Sequence, residues 1–336
     1  MMKKIVVPLC LLFASLFVYA QPQDSKQLYE TAKTFMKQRD FPNAAIVLNR
    51  ALQLDPQNLD IAKDLALSYY FQKDNARALE TIKPVLERDD ADDQSFQIAG
   101  SIYNAMDMPK DGEKVIKKGL KKFPNSGPLY NDMGELLQAQ GNPESIRQWE
   151  KGIEADPSFS KNYYNAAKFY FLTMDKVWSI LYAEVFINME PSGSKTPEVK
   201  ELLLESYKKL FTDNDLTKNN NKDKNNFAKA FLESMNKQVS LTYQGINTET
   251  LTMIRTRFIL EWVNSNSGKY PYQLFDYHRH LLQEGMFDAY NQWVFGPAQN
   301  LAAFQNWITV HNNEYNAFTG FQKGRVFKMP TGQYYH

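Results

Sequence analysis

The chain has 336 residues, with 39 lysines and arginines against 38 aspartates and glutamates, and Cys10 is its only cysteine. A formal net charge of +1 gives no electrostatic reason to expect nucleic acid or an anionic membrane surface as a partner. A single cysteine excludes a fold that is stapled by disulfides within the chain. The length suggests two domains or one elongated array.

Residues 1–20 have the pattern of an export signal. Two lysines open the segment, an apolar stretch follows, and Val18-Tyr19-Ala20 fits the positions that a signal peptidase reads. We therefore predict cleavage before Gln21, with an uncleaved N-terminal anchor as the alternative. Removal of the two lysines changes the formal charge from +1 to −1.

Lipidation of Cys10 is not expected, because a lipobox needs a small residue before the cysteine and Leu9 stands there. The mature chain would then contain no cysteine. Secreted eukaryotic proteins usually carry disulfides, so an exported helical chain without them is more typical of a bacterial envelope. We predict a periplasmic protein, with full secretion as the alternative.

Prolines mark a repeat in the N-terminal half. Pro56, Pro124, Pro157 and Pro191 are separated by 68, 33 and 34 residues. Half of the first interval places a further boundary near Asp90, within the polar stretch LERDDADD. A fixed period of about 34 residues is typical of stacked helix–turn–helix units. We predict five such units, at residues 25–58, 59–92, 93–126, 127–159 and 160–193.

Small residues recur on the two helices of each predicted unit. In the first unit, Ala32 lies on the first helix, and Ala44 and Ala51 lie on the second. Small residues at these positions let paired helices approach closely, while larger neighbours fill the gaps. The same packing explains Gly100 and Gly134, each of which would cost about 1 kcal/mol relative to alanine in an isolated helix.

With this register, residues 25–193 resemble the tetratricopeptide repeat (TPR) family. The resemblance implies an all-α, TPR-type helix–turn–helix solenoid of about five repeats, whose first helices line a concave groove. Members of the family usually bind peptides or partner segments in that groove. This sequence departs from the pattern at Pro84, which falls inside a second helix, and near Gly141, where one residue is missing.

Residues 194–212 are predicted to form a capping helix for the array. The stretch TPEVKELLLESYKKLF has an amphipathic pattern, Thr196 is a suitable N-cap, and Pro197 suits the first helical position. Residues 213–226 are polar and rich in asparagine, so we interpret them as a linker.

Residues 227–336 are interpreted as a small helical, aromatic-rich C-terminal domain that resembles no family we recognise. Aromatic residues are dense from Tyr270 onward. Two interpretations stay open: the rings pack a helical core, or they form a platform for a sugar or a peptide. Helices are predicted at residues 227–240, 248–264, 271–284 and 297–316.

The sequence contains no recognisable catalytic or metal site. His278 and His280 point to different sides of a helix, whereas zinc binding on a helix needs histidines four residues apart. The Gly268-Lys269 pair lacks the earlier glycine and the following serine or threonine of a phosphate loop. We therefore predict no enzyme, no metal and no cofactor.

The predicted groove is the candidate binding site. Its amides can bond a peptide backbone, and its rings can contact peptide side chains. The alternative for each position is that it stacks on the next unit. The residues projected onto the groove are Tyr29, Lys33, Lys63, Tyr70, Asn104, Asn131, Tyr164 and Lys168.

These observations predict an exported, non-enzymatic scaffold or adaptor that binds a protein or peptide partner, with a role in assembly of an envelope complex. The alternative is a protein that binds a glycan or another small ligand through its aromatic C-terminal half. We expect no nucleic-acid partner and no integral membrane segment after signal removal.

Overall fold

The structure is a computed structural model that describes residues 24–213, 215–220 and 225–336. Within these residues every regular element is a helix, which confirms the predicted all-α fold class. None of the described helices combines the length and the apolar character that crossing a membrane requires. The predicted signal peptide, residues 1–20, lies outside the described residues.

The chain divides into two compact units, and the first of them, residues 24–85, holds two helical hairpins. The Asp74 side chain caps the last helix of this unit by accepting a hydrogen bond from the Arg77 backbone N–H. That helix ends at Ile82, because Pro84 has no backbone N–H with which to continue the helical hydrogen bonds. The four helices are α1 (Ser25–Lys37), α2 (Phe41–Leu54), α3 (Leu59–Phe71) and α4 (Asn75–Ile82).

The second compact unit, residues 86–336, begins with three further hairpins. These are built from α5 (Asp93–Ala105), α6 (Pro109–Lys122), α7 (Gly127–Ala139), α8 (Ser145–Ala155), α9 (Ser160–Phe171) and α10 (Lys176–Met189). The helices that follow are α11 (Thr196–Leu210), α12 (Leu216–Asn220), α13 (Asn226–Asn236), α14 (Thr248–Ser265), α15 (Gln273–Gln283), α16 (Phe287–Gln299), α17 (Leu301–Val310) and α18 (Asn312–Lys323). Short 3-10 helices are formed by Val85–Glu87 and Val239–Gln244.

The first four hairpins turn in the same left-handed backbone conformation. Arg39, Lys73, Asp107 and Gly141 have φ values of 60°, 63°, 57° and 68°. Each of them is 34 residues from the next. In each turn this residue and the one after it donate backbone hydrogen bonds to the end of the first helix, as in the 2.9 Å bond from Lys73 N to Tyr70 O. The recurrence of a conformation that L-residues rarely adopt supports the 34-residue period independently of the side chains.

Glycines allow the two helices of a hairpin to touch. A Cβ added to Gly134 would lie 2.2 Å from Trp149 Nε1, and one added to Gly100 would lie 3.0 Å from Ile116 Cγ1. The first of these distances is too short for any real Cβ atom, and the second is tighter than most. Close packing therefore explains both glycines, as expected from the sequence.

The hydrophobic core of residues 86–336 includes the C-terminal helices as well as the repeats. One cluster of buried side chains extends from Trp149 on α8 to Met329 beyond α18. Tyr207 of α11 meets Phe295 of α16 edge to face, with 5.7 Å between ring centroids. In the segment interpreted as a linker, α12 forms, and its Leu216 is buried in the same cluster.

Two helix predictions in the C-terminal part are wrong. No helix was predicted at 287–299, where α16 lies, and the helix predicted at 297–316 is interrupted twice. Pro297 suits a helix start, but it lies in the last turn of α16. The chain then breaks at Asn300, which is extended and caps α17 through its side chain, and again at His311.

A buried ion pair connects α10 to the C-terminal helices. Glu184 on α10 and Arg255 on α14 are each 1% exposed and bond directly to one another. Glu184 Oε1 also accepts hydrogen bonds from His278 Nε2 at 2.9 Å and from the Tyr290 hydroxyl at 2.8 Å. Burial alone would raise the pKa of Glu184, but Arg255 and His278 outweigh it and hold that pKa at about 2. This polar network joins α10, α14, α15 and α16.

The last residues of the chain pack back onto the repeats without regular secondary structure. The Tyr335 ring stacks on Phe227 with 4.6 Å between centroids. His336 bonds the Tyr170 hydroxyl through Nε2 at 2.7 Å and Glu150 through Nδ1 at 3.1 Å. These contacts tie the end of the chain to α8, α9 and α13.

Candidate functional site

The first helices of residues 24–85 carry four of the predicted groove residues. The Tyr29 hydroxyl of α1 donates to Asp64 Oδ2 of α3 at 2.9 Å, and burial raises the pKa of this aspartate. Lys33 lies over the Tyr29 ring, with 4.9 Å from Nζ to the centroid. Lys63 pairs with Asp60 at 3.0 Å. This surface is thus held by one hydrogen bond between α1 and α3 and by polar contacts within each helix.

Side-chain hydrogen bonds also connect successive first helices in residues 86–336. Their partners lie 34 or 35 residues apart, so each bond joins a first helix to the helix about one repeat later; we call them the inter-repeat rungs. They run from Gln97 Nε2 to Asp132 Oδ2 at 2.8 Å, from Asn165 Nδ2 to Asn131 Oδ1 at 2.9 Å, and from the Tyr164 hydroxyl to Glu198 Oε1 at 3.1 Å. The bond from Tyr29 to Asp64, 35 residues apart, is the equivalent in residues 24–85.

Asp132 is the acidic member of the first rung. Its burial raises its pKa to about 6, although the hydrogen bonds from Gln97 and Asn131 oppose the shift. The nearby Glu135 carboxylate adds to the increase, whereas Lys161 opposes it. The side chain therefore changes its charge near neutral pH.

A cavity of about 380 Å³ opens beside Tyr164, and we call it the Tyr164 cavity. The rings of Tyr164 on α9 and Phe186 on α10 lie 5.4 Å apart and form its apolar wall. Its charged groups are balanced, with two carboxylates and two ammonium groups. The polar lining consists of Glu135, Ser160, Lys161, Asn165, Glu190, Ser194 and Lys195.

The position of the Tyr164 ring is fixed by a small polar cluster. Glu198 accepts hydrogen bonds from the Tyr164 hydroxyl and from Lys168 Nζ, the latter at 2.9 Å. The hydrogen bond between Lys168 and Glu198 raises the pKa of Lys168 and lowers the pKa of Glu198, so both side chains stay charged at neutral pH. Lys195 completes the cluster at 3.5 Å from Glu198.

The structure contradicts the predicted exposure of two groove residues. Lys63 and Asn131 are only 6% and 2% exposed. Lys63 forms an ion pair with Asp60, and Asn131 Oδ1 accepts a hydrogen bond from Asn165. Asn131 thus contacts the neighbouring helix, which is the alternative that the sequence left open, whereas the Lys63 ion pair lies within its own helix.

The other predicted residues are accessible, and among them Lys168 Nζ bonds the Tyr164 hydroxyl at 3.1 Å. Asn104 is exposed, and Tyr70 is partly exposed beside Phe71. Of the eight, only Tyr164 lines the Tyr164 cavity. Sequence reasoning missed Phe186 and Lys195 in its wall, because Phe186 belongs to a second helix and Lys195 lies between helices, where no period applies.

The histidine pair does not form a metal site. His278 is buried against Glu184, while His280 is partly exposed on another side of α15. Across residues 24–213, 215–220 and 225–336, no group of three or more His, Cys, Asp or Glu side chains is arranged to hold a metal ion.

Comparison with known proteins gives one match to a family model and several similar structures. A model described as tetratricopeptide repeat matches residues 35–99. Among solved structures, the chain is similar to a thermophilic TPR protein of Thermus thermophilus, at 14% identity and a TM-score of 0.44, over 55% of this chain and 98% of that one. It is also similar to pilF of Pseudomonas aeruginosa, at 14% identity and a TM-score of 0.47, over 66% of this chain and 91% of that one.

A further similar structure is YrrB, described as a TPR protein with an unusual peptide-binding site. Its identity is 17% and its TM-score 0.37, over 53% of this chain and 92% of that one. No curated protein matches the chain.

The family match and the backbone geometry coincide. The matched segment, residues 35–99, includes the turns at Arg39 and Lys73, so the sequence pattern and the 34-residue turn period describe the same hairpins. Residues 35–99 therefore match the tetratricopeptide repeat pattern.

Proposed function

We propose that this chain is an exported, non-enzymatic adaptor that binds a segment of another protein on the first-helix surface of residues 86–210. The Tyr164 cavity carries the proposal. It is a concave site at a predicted groove residue, and its volume of about 380 Å³ falls in the range of about 300–1,000 Å³ that ligand pockets occupy.

The lining of the cavity suits one side chain of an extended peptide. The paired rings of Tyr164 and Phe186 offer an apolar wall, and aromatic anchors of this kind dominate binding energy at interfaces. Asn165 and the charged groups at the rim can bond the peptide backbone on either side. Because the rim holds charges of both signs, we expect a partner residue that is apolar or aromatic rather than strongly charged.

The predicted export signal supports the proposal of a site of action outside the cytoplasm. Residues 1–20 have a basic start, an apolar stretch and acceptable residues at the two positions that a signal peptidase reads. We propose the periplasm as the compartment, and a protein of the bacterial envelope, during assembly of a larger complex, as the partner.

The proposal is tested by site-specific photo-crosslinking in intact cells of the native host. A photoreactive residue replaces Lys161, which is exposed and lines the Tyr164 cavity. The matched control replaces Lys151, which is exposed on α8 and does not line it. We expect a discrete adduct in the periplasmic fraction from position 161 and none from position 151.

A third chain carries the photoreactive residue at 161 together with Tyr164→Ala. Loss of the aromatic wall should reduce the adduct at least tenfold, while circular dichroism and the thermal midpoint confirm that the chain is folded. Equal adducts from positions 161 and 151, or an adduct that is indifferent to Tyr164→Ala, would contradict the proposal.

A further inference from the structure

A second cavity, of about 220 Å³, lies where the start of α14 meets the end of α16 and the face of α17. We call it the α17 cavity. Its position depends on Gly296, because a Cβ added there would lie 2.6 Å from Cδ2 of Phe304. Glycine thus lets α16 and α17 approach, and the buried Phe304 ring becomes the floor of the cavity.

One wall of the α17 cavity is aromatic. Trp307 and His311 are one helical turn apart, and their rings are nearly parallel, with 4.5 Å between centroids and 18° between planes. Trp307 is partly exposed, whereas the other four tryptophans of the chain are buried. An accessible indole beside a cavity offers a flat surface on which a ligand ring can stack.

The other walls present side-chain amides. Gln292 is only 5% exposed, and it lines the cavity. Its amide can both donate and accept a hydrogen bond, so a polar ligand group in the cavity can bond it.

Two neighbouring side-chain amides have a hydrogen-bonded oxygen and an NH2 group that can still donate. Gln299 Oε1 already accepts from the Thr248 hydroxyl at 2.6 Å, so its Nε2 group remains for a ligand. Asn300 Oδ1 accepts from the Ala303 backbone N–H at 3.0 Å, so its Nδ2 group remains as well. Glu249 adds an exposed carboxylate at the mouth.

The combination selects the class of ligand. The lining offers amide donors, amide and carboxylate acceptors and an aromatic face, and no lysine or arginine among the described residues belongs to it. An anionic ligand would lack a counter-charge, and a purely apolar ligand could not bond Gln292. A sugar ring satisfies every group, because its C–H face packs on an aromatic ring and its hydroxyls both donate and accept.

We propose that the α17 cavity binds one neutral pyranose unit, either as a free sugar or as part of a glycan. The ring lies against Trp307, Gln292 bonds a hydroxyl at the base of the cavity, and Glu249 accepts a hydrogen bond at its mouth. A ligand of this size binds weakly on its own, with a Kd on the order of 1 mM. The site lies outside the first-helix surface, so it adds a second binding activity.

The experiment exploits the accessibility of Trp307. Iodide quenching of tryptophan fluorescence reports mainly on this residue in the full mature chain, since the other tryptophans are buried. A panel of glucose, galactose, mannose, xylose and N-acetylglucosamine, their methyl glycosides and short oligosaccharides is titrated. We expect at least one sugar to protect Trp307 from iodide with a Kd below about 10 mM, and saturation-transfer NMR to give the same ranking.

Three variants decide where the sugar binds. Trp307→Ala and Gln292→Leu should each weaken binding at least tenfold in the NMR experiment. Tyr243→Ala removes a ring that is 80% exposed away from the cavity and should leave binding unchanged. Tyr164→Ala should also leave it unchanged, which separates this site from the adaptor surface.

Binding of a methyl glycoside or an oligosaccharide would identify a glycan unit as the ligand, and binding of the free sugar alone would identify a free monosaccharide. The proposal is overturned if no sugar of the panel binds, if binding survives both Trp307→Ala and Gln292→Leu in folded chains, or if Tyr243→Ala weakens it equally.

Discussion

Asp132 shows how a single residue on the first-helix surface can depend on pH. Its carboxyl group accepts a hydrogen bond from Gln97, yet burial raises its pKa to about 6, above the ordinary value of 3.8. The folded chain therefore binds the Asp132 proton more tightly than the unfolded chain does. By linkage, the stability contribution of this group is highest below about pH 4 and is lost as the pH rises through 6.

We predict that Asp132→Asn raises the free energy of unfolding by about 1–2 kcal/mol at pH 7, because asparagine can still accept from Gln97 and carries no buried charge. The gain should vanish at pH 4, where Asp132 is already protonated in the folded chain. Urea unfolding of both chains at the two pH values measures the difference. A gain of equal size at pH 7 and pH 4 would refute the raised pKa.

Residue-scale predictions from the sequence succeed where packing is local and fail where it is not. Gly100 and Gly134 were predicted to be packing residues, since their partners lie in the same hairpin at a fixed spacing. Lys63 and Asn131 were predicted to be exposed, but they are buried. Their burial depends on how closely the next helix approaches, which helical periodicity alone does not specify.

At the scale of elements, the left-handed turn is the most regular feature of the repeats. Glycine occupies it only at position 141, while Arg39, Lys73 and Asp107 adopt it with a Cβ present. An L-residue in this conformation is disfavoured by roughly 1–2 kcal/mol, and glycine avoids that cost at the expense of a more flexible unfolded chain. The conformational strain of an L-residue is larger than the entropic cost of glycine, so glycine should be the more stable choice here.

We expect Lys73→Gly to raise the free energy of unfolding by about 0.5–1 kcal/mol, because it relieves the strained φ of 63°. The control is Lys73→Ala, which removes the side chain but keeps the Cβ, and should change stability by less than about 0.5 kcal/mol. Thermal unfolding followed by circular dichroism distinguishes the two. A stabilisation by alanine as large as that by glycine would assign the effect to the side chain instead.

Helices were predictable where a period or a cap marked them. The repeat helices follow from the 34-residue spacing, and α14 and α15 follow from their own apolar patterns. The prediction failed at α16, because Pro297 looks like a helix start and the aromatic residues of 287–299 give no clear amphipathic period. The break at His311 has no glycine or proline to signal it.

At the scale of the whole second unit, the Glu184–Arg255 network makes the last repeat and the C-terminal helices depend on each other. Both charged side chains are buried. The members of the network lie on four helices and are up to 107 residues apart in sequence, from Glu184 to Asn291. Breaking a buried pair leaves one uncompensated charge, which is far more destabilising than loss of a surface pair.

We predict that Glu184→Gln lowers the free energy of unfolding by about 3–5 kcal/mol, because it leaves Arg255 buried without a counter-charge. Hydrogen exchange should show α10, α14 and α16 losing protection together. The matched control, Glu113→Gln, removes one partner of the surface pair with Lys117 and should cost about 0–1 kcal/mol. A similar cost for both variants would mean that the buried network is not what joins these helices.

The candidate site was predictable only in part. Tyr164 follows from the repeat register, but the Tyr164 cavity also needs Phe186 from a second helix and Lys195 from the segment before α11. The α17 cavity needs side chains from α14, α16 and α17, which no sequence period relates. Sites formed by several helices depend on tertiary packing. The sequence therefore indicates which residue types are present and does not indicate which of them come together in space.

The inter-repeat rungs also bear on how such a chain can change its length over evolution. Each rung joins positions 34 or 35 residues apart, about one repeat, so duplication of one whole hairpin would supply both halves of the new bond. The repeated part can therefore gain or lose a hairpin without a new interface having to arise. The end at α10 has no such freedom, since Glu184 must meet Arg255. We expect related chains to differ in the number of hairpins before α9 while they retain the last repeat.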